Sequence, residues 1–91
     1  MSTLLISYDL MSPETRKDYK ELIDCIKSFP WAKPLYSVWF IKTDKSCSEV
    51  RDELKLRVDS NDKILVIDVT GKPWATYNFP KEVLDWMHSN L

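Results

Sequence analysis

Residues 31–43, "WAKPLYSVWFIKT", decide how this sequence folds. The stretch is rich in aromatic and β-branched residues, which suit a pleated, half-buried strand, but Pro34 has no N–H to give to a ladder. It therefore reads as a short hairpin with one arm from Ala32 to Leu35, a second from Val38 to Thr43, and Tyr36-Ser37 at the reversal. Working outward, "LLISYDL" upstream gives a strand over about Thr3 to Tyr8, closing on Asp9. "MSPETR" supplies a helix start, with Ser12 as N-cap, Pro13 at the first helical position and Glu14 in the first turn. Tyr19, Leu22, Ile23, Ile26 and Phe29 then recur at three- and four-residue spacing, which gathers them on one helical face ending near Pro30.

Downstream, "SCSE" at Ser46 to Glu49 is a capping box, and Cys47, Val50, Leu54 and Val58 form the apolar stripe of a second helix. The turn "DSND" leads into "KILVIDV", Lys63 to Val69, a strand that the only glycine, Gly71, brings to an end. The tail "NFPKEVLDWMHSNL" reads as a terminal helix, with Asn78 as cap, Pro80 early, and Val83, Leu84, Met87 and Leu91 on its apolar face. The order βαββαβ plus a C-terminal helix predicts an α+β, ferredoxin-like domain, an antiparallel sheet with two helices on one face. One domain over residues 1–91 is expected, its core at about 3–70 and an extension at about 71–91.

The strands are apolar on both faces: Leu4 and Ile6 alternate with Leu5, Val38 and Phe40 with Trp39 and Ile41, and Ile64 and Val66 with Leu65 and Ile67. Two helices cover one face, so the other must meet the terminal helix, a second copy, or both, and a homodimer is the economical expectation.

Composition excludes several function classes. Thirteen basic against fourteen acidic residues leave no strong field to draw in nucleic acid or anionic membrane, so any nucleic-acid contact is local. A chain with one glycine holds no glycine-rich phosphate loop. His88, the only histidine, has no partner at ligand or triad spacing and reads as a helix C-terminal charge. Cys25 and Cys47 show no CxxC spacing and read as free thiols. No apolar run of ~18 residues spans a membrane and no basic segment precedes the first strand, so a cytoplasmic protein without a membrane partner is expected.

"SYDL" closing the first strand, Arg16 in the following helix, and "YSVWF" at Tyr36 to Phe40 resemble the strand-end Tyr-Asp and the Ser-Val-Phe motif of the small CRISPR-associated adaptation subunit. The layout is also similar to that of VapD-type ribonuclease toxins, and the likeness covers roughly residues 3–70. It implies a homodimer whose two strand-end aspartates approach across the interface and hold Mg²⁺ or Mn²⁺, with RNA or DNA as substrate and phosphodiester cleavage as the chemistry. By this resemblance Asp9 is the metal ligand and catalytic carboxylate, Ser37 belongs to the catalytic set, and Tyr8 and Arg16 shape or charge the site.

Other roles stand beside these. Asp9 could instead accept backbone N–H bonds in the loop it opens, and Ser37 could serve only as a hairpin residue. Asp52 to Arg57, "DELKLR", reads as the solvated face of helix two. The four tryptophans could stack on bases but in so small a chain more often fill the core or an interface, and Trp74 sits in the loop "GKPWATYNF". With Lys72 and Tyr77 it forms the chain's one local basic-aromatic cluster, a candidate for binding. Two classes remain: a metal-dependent nuclease, and a non-catalytic dimeric module that binds protein or nucleic acid.

Overall fold

The computed structural model describes residues 1–13 and 19–91. It comprises β1 (Ser2–Asp9), α1 (Lys20–Lys27), β2 (Trp31–Leu35), β3 (Val38–Thr43), α2 (Cys47–Lys55), β4 (Lys63–Asp68) and α3 (Lys81–Asn90). The four strands form one sheet in the order β2-β3-β1-β4, and each neighbouring pair is antiparallel. This is a small α+β domain, compatible with a ferredoxin-like arrangement. Pro34 sits on β2, an edge strand, where a missing N–H leaves no ladder partner unpaired.

Register assigns the faces. Leu4 and Ile6 of β1 lie opposite Ile41 and Trp39 on β3, and Leu4, Ile6 and Tyr8 lie opposite Asp68, Val66 and Ile64 on β4. Leu4, Ile6, Trp39 and Ile41 pack with Leu22 and Ile26 of α1 and with Val50 and Leu54 of α2 in one buried cluster, which also takes in Tyr19. Truncating any of these large aliphatic side chains to Ala would cost about 2–5 kcal/mol. The α2 start is the capping box expected at Ser46: the Ser46 hydroxyl accepts from the Glu49 N–H at 3.1 Å, and the Glu49 carboxylate accepts from the Ser46 N–H at 2.9 Å.

The opposite face carries Leu5 and Ser7 of β1, Phe40 and Lys42 of β3, and Leu65 and Ile67 of β4. Here α3 covers the β2–β3 side: Trp86 stacks on Phe40 with ring centroids 6.1 Å apart and planes 9° from parallel, and Met87 is buried. Its C-terminal end is tied down by the Lys42 ammonium, 2.9 Å from the Asn90 carbonyl oxygen, and by the Thr3 hydroxyl, which donates to the same oxygen. The β4 side stays open, with Leu65 56% and Ile67 47% exposed.

Some boundaries differ from expectation. The start expected at Ser12-Pro13-Glu14 runs into residues 14–18, outside the described residues, and described α1 begins at Lys20. Asn78 does not cap α3; its φ of 63° places it in the left-handed region, and the N-cap is Pro80, which offers no side-chain acceptor. β4 stops at Asp68, where the carboxylate turns back to accept from the Thr70 N–H at 2.9 Å. Among the described residues no helix is long and apolar enough to cross a membrane.

Candidate functional site

β1 delivers Asp9 to the sheet end nearest the β2–β3 hairpin. The Tyr8 N–H donates to the Ser37 carbonyl at 3.3 Å, so the end of the strand is fastened directly to the reversal. Tyr36 and Ser37 form that reversal, and Ser37 takes φ 60°. Serine at this angle is strained relative to glycine, so the turn is held by the strands it joins. Asp9, Leu10, Met11, Ser12, Tyr36 and Ser37 surround an open pocket of about 380 Å³. Asp9 is exposed and, among the described residues, is the only carboxylate in the lining.

Lys63 is the residue directly across from Asp9 in the β1–β4 register, on the same face. Directly opposed residues keep their Cβ atoms about 5 Å apart, so the Lys63 side chain starts from the position next to Asp9. The sequence places these residues 54 positions apart, and only strand pairing reveals them as neighbours.

The loop that follows Asp9 is held by Asp62. Its carboxylate accepts from the Met11 N–H at 2.8 Å, from the Asp59 N–H at 2.8 Å and from the Tyr19 hydroxyl at 3.0 Å. Asp62 thus joins the two loops at this end of the sheet to the N-terminal edge of α1. Read in sequence it is one member of a polar turn; its reach across to Met11 carries no local signal.

The remaining candidates fall elsewhere. Tyr8 is buried, and its phenolic oxygen accepts from the Trp39 indole N–H at 2.9 Å, so its ring is a core element that backs the pocket. Arg16 lies outside the described residues. Lys72 and Trp74 belong to the other end of the sheet: the Lys72 N–H donates to the Val69 carbonyl, and the Val69 N–H donates to the Thr3 carbonyl. From Thr3 to Asp9 the strand rises about 20 Å at ~3.4 Å per residue, so this cluster and the Asp9 pocket are separate places. Trp74 packs there against His88, with ring centroids 5.1 Å apart.

A divalent cation of the Mg²⁺ class takes six or more oxygen ligands and is held by protein through one or two carboxylates. Among the described residues no group of three or more His, Cys, Asp or Glu could hold a metal ion, and one chain brings only Asp9 to the pocket.

A wider pocket of about 810 Å³ lies between α1 and α2, bordered by Asp24, Cys25, Phe29, Lys45, Glu53 and Arg57. Lys45 is ion-paired with Glu53 across it. Burial pushes the Cys25 thiol above its ordinary pKa, which keeps it protonated and a poor nucleophile. Both cysteines are free thiols.

No protein-family model matches the chain. Among solved structures it is similar to a hypothetical protein, TT1823, from Thermus thermophilus, with a TM-score of 0.65 and 16% sequence identity over 87% of this chain and 94% of that one. At this identity the likeness is one of fold.

Proposed function

We propose that this protein is a ferredoxin-like homodimer akin to the small CRISPR-associated adaptation subunit and the VapD-type ribonucleases. In this reading it cleaves phosphodiester bonds, as an endoribonuclease, at the paired Asp9 site with Mg²⁺ or Mn²⁺. One observation carries the reading. The two motifs behind the resemblance, the strand-end Asp9 and the Tyr36-Ser37 reversal, lie 27 or more positions apart yet line one pocket and are joined through the Tyr8–Ser37 hydrogen bond. The exposed Leu65 and Ile67 supply apolar surface for the second copy that the site requires.

In this scheme Asp9 of each chain contributes carboxylate oxygens, and Lys63 offsets phosphate charge beside it. Ser37 fixes the approach of β1 through its carbonyl, while Tyr36 flanks the entry. The bound ion would supply an activated water and neutralise charge at the scissile phosphate. Free Cys25 and Cys47 support a reducing, cytoplasmic setting.

A second reading, a non-catalytic homodimeric scaffold that binds a protein or a nucleic acid, is favoured by the single carboxylate that the described residues of each chain bring to the pocket. One experiment separates the two. A nuclease cleaves RNA with Mg²⁺ or Mn²⁺, falls silent in chelator, and loses cleavage in Asp9→Asn while its circular dichroism and oligomeric state persist. Cleavage that survives both Asp9→Asn and chelator sinks the site assignment. Absence of metal-dependent cleavage across RNA and DNA substrates leaves the scaffold.

A further inference from the structure

The outer edge of the sheet carries a feature that the Asp9 chemistry does not use. The Lys27 ammonium lies 5.2 Å from the Trp31 ring centroid and 6.0 Å from that of Trp39. The Lys33 ammonium lies 4.8 Å from the Trp39 ring and 5.3 Å from the Tyr36 ring. Trp31 and Trp39 meet edge to face at 5.2 Å. Two lysines and three rings are therefore in unbroken contact along the series Lys27, Trp31, Trp39, Lys33, Tyr36. Trp39 is the buried support of this series, while Trp31 is 41% and Tyr36 75% exposed.

We propose that this strip along β2 is a binding surface for single-stranded nucleic acid, which it leads into the Asp9 pocket. The inference rests on the nuclease reading for its destination, because Tyr36 both ends the strip and lines that pocket. Three observations select this partner. Exposed aromatic faces offer stacking to unpaired bases of any sequence, whereas duplex bases are already stacked. Lysines held at the rings supply local positive charge for the phosphates of a stacked strand, in a chain that is near neutral overall. Pro34 in the middle of β2 withholds an N–H, so the edge is unsuited to receiving a peptide as an added strand, and its side chains are what it can offer. From Trp31 to Tyr36 the strand spans roughly 17 Å, room for a few nucleotides. Glu82, with Trp31 and Lys33 on the wall of the adjoining groove, sets its acidic boundary on the α3 side.

The test uses the full chain carrying Asp9→Asn, in chelator, so that binding is read without cleavage. The probes are fluorescein-labelled eight-nucleotide oligouridylate and oligodeoxythymidylate, with a matched duplex as competitor. Binding of either single strand with quenching of tryptophan fluorescence is expected, the RNA and DNA arms identifying the preferred sugar. Trp31→Ala with Tyr36→Ala should weaken it at least tenfold. Lys27→Gln and Lys33→Gln should each flatten the slope of log affinity against log salt by about 0.7. Trp31→Phe, which keeps a ring, should restore most of the affinity and guards against loss through misfolding, as does a thermal melt of each variant. No binding of either strand at 100-fold above a micromolar probe range, unchanged affinity in the folded double variant, or equal competition by duplex would each overturn the strip. Because these readouts omit metal and the Asp9 carboxylate, their failure is distinct from loss of metal-dependent cleavage in Asp9→Asn.

Discussion

The indole N–H of Trp39 donates to the phenolic oxygen of Tyr8 at 2.9 Å within the core, joining the centre of β3 to the end of β1. Both side chains are buried, so the donor has no water to turn to if its acceptor is removed. Tyr8→Phe should lower stability by about 1–3 kcal/mol, the cost of an orphaned buried donor. Urea unfolding at matched m-value measures it. An unchanged midpoint would mean that the hydrogen bond contributes nothing net.

Asp62 holds Met11, Asp59 and Tyr19 with one carboxylate, so its loss releases two backbone donors and a buried tyrosine together. Asp62→Ala should cost about 2 kcal/mol, and Asp62→Asn, which keeps one acceptor oxygen, roughly half of that. Hydrogen exchange should quicken first at Met11 and Asp59. Protection that survives in Asp62→Ala would show these loops to be fixed by other contacts.

Ser37→Gly should stabilise the fold by up to about 1 kcal/mol, since glycine takes a φ of 60° without the steric cost that serine bears. Ser37→Ala keeps that cost and deletes only the hydroxyl. The difference between the two variants in a thermal melt isolates the backbone contribution. A glycine variant less stable than the alanine one would contradict it.

The capping box gives α2 a pH dependence with a definite sign. Hydrogen bonds from Ser46 hold the Glu49 carboxyl below its ordinary pKa. A carboxylate with a lowered folded pKa contributes stability that is present above its unfolded value, about 4.3, and is lost as pH falls through the folded value. Glu49→Gln should therefore flatten the stability profile below about pH 5 and leave its shape above pH 6 unchanged. Denaturant midpoints taken from pH 3 to 7 provide the check, and parallel profiles for variant and parent would refute it.

What could be read from the sequence was local. The capping box at Ser46 and Glu49 spans a single turn, and the strand alternation at Leu4 to Tyr8 and Val38 to Ile41 needs no knowledge of distant residues. The hairpin was legible because Pro34 and the Tyr36-Ser37 reversal punctuate it. Long-range partners were not legible. Trp86 pairs with Phe40 across 46 positions, and the inward side of α3 runs through Trp86 and Asn90 as well as Met87. Lys72 and Trp74 are two positions apart in sequence, but that closeness does not say at which end of a sheet a loop will fall, and strand pairing sends them away from Asp9. Lys63 beside Asp9 likewise exists only once β1 and β4 are in register.

The Thr3 hydroxyl and the Asn90 carbonyl are 87 positions apart, and this sets a schedule for the nascent chain. At a translation rate of roughly 5–20 residues per second, Thr3 waits about 4–17 s before its partner is made. The sheet needs only residues up to Asp68, so it can close earlier, while Phe40 stands uncovered until Trp86 emerges. During that interval the growing chain exposes a wider apolar face than the finished protein does, and ribosomes working side by side on one message would bring two such faces together.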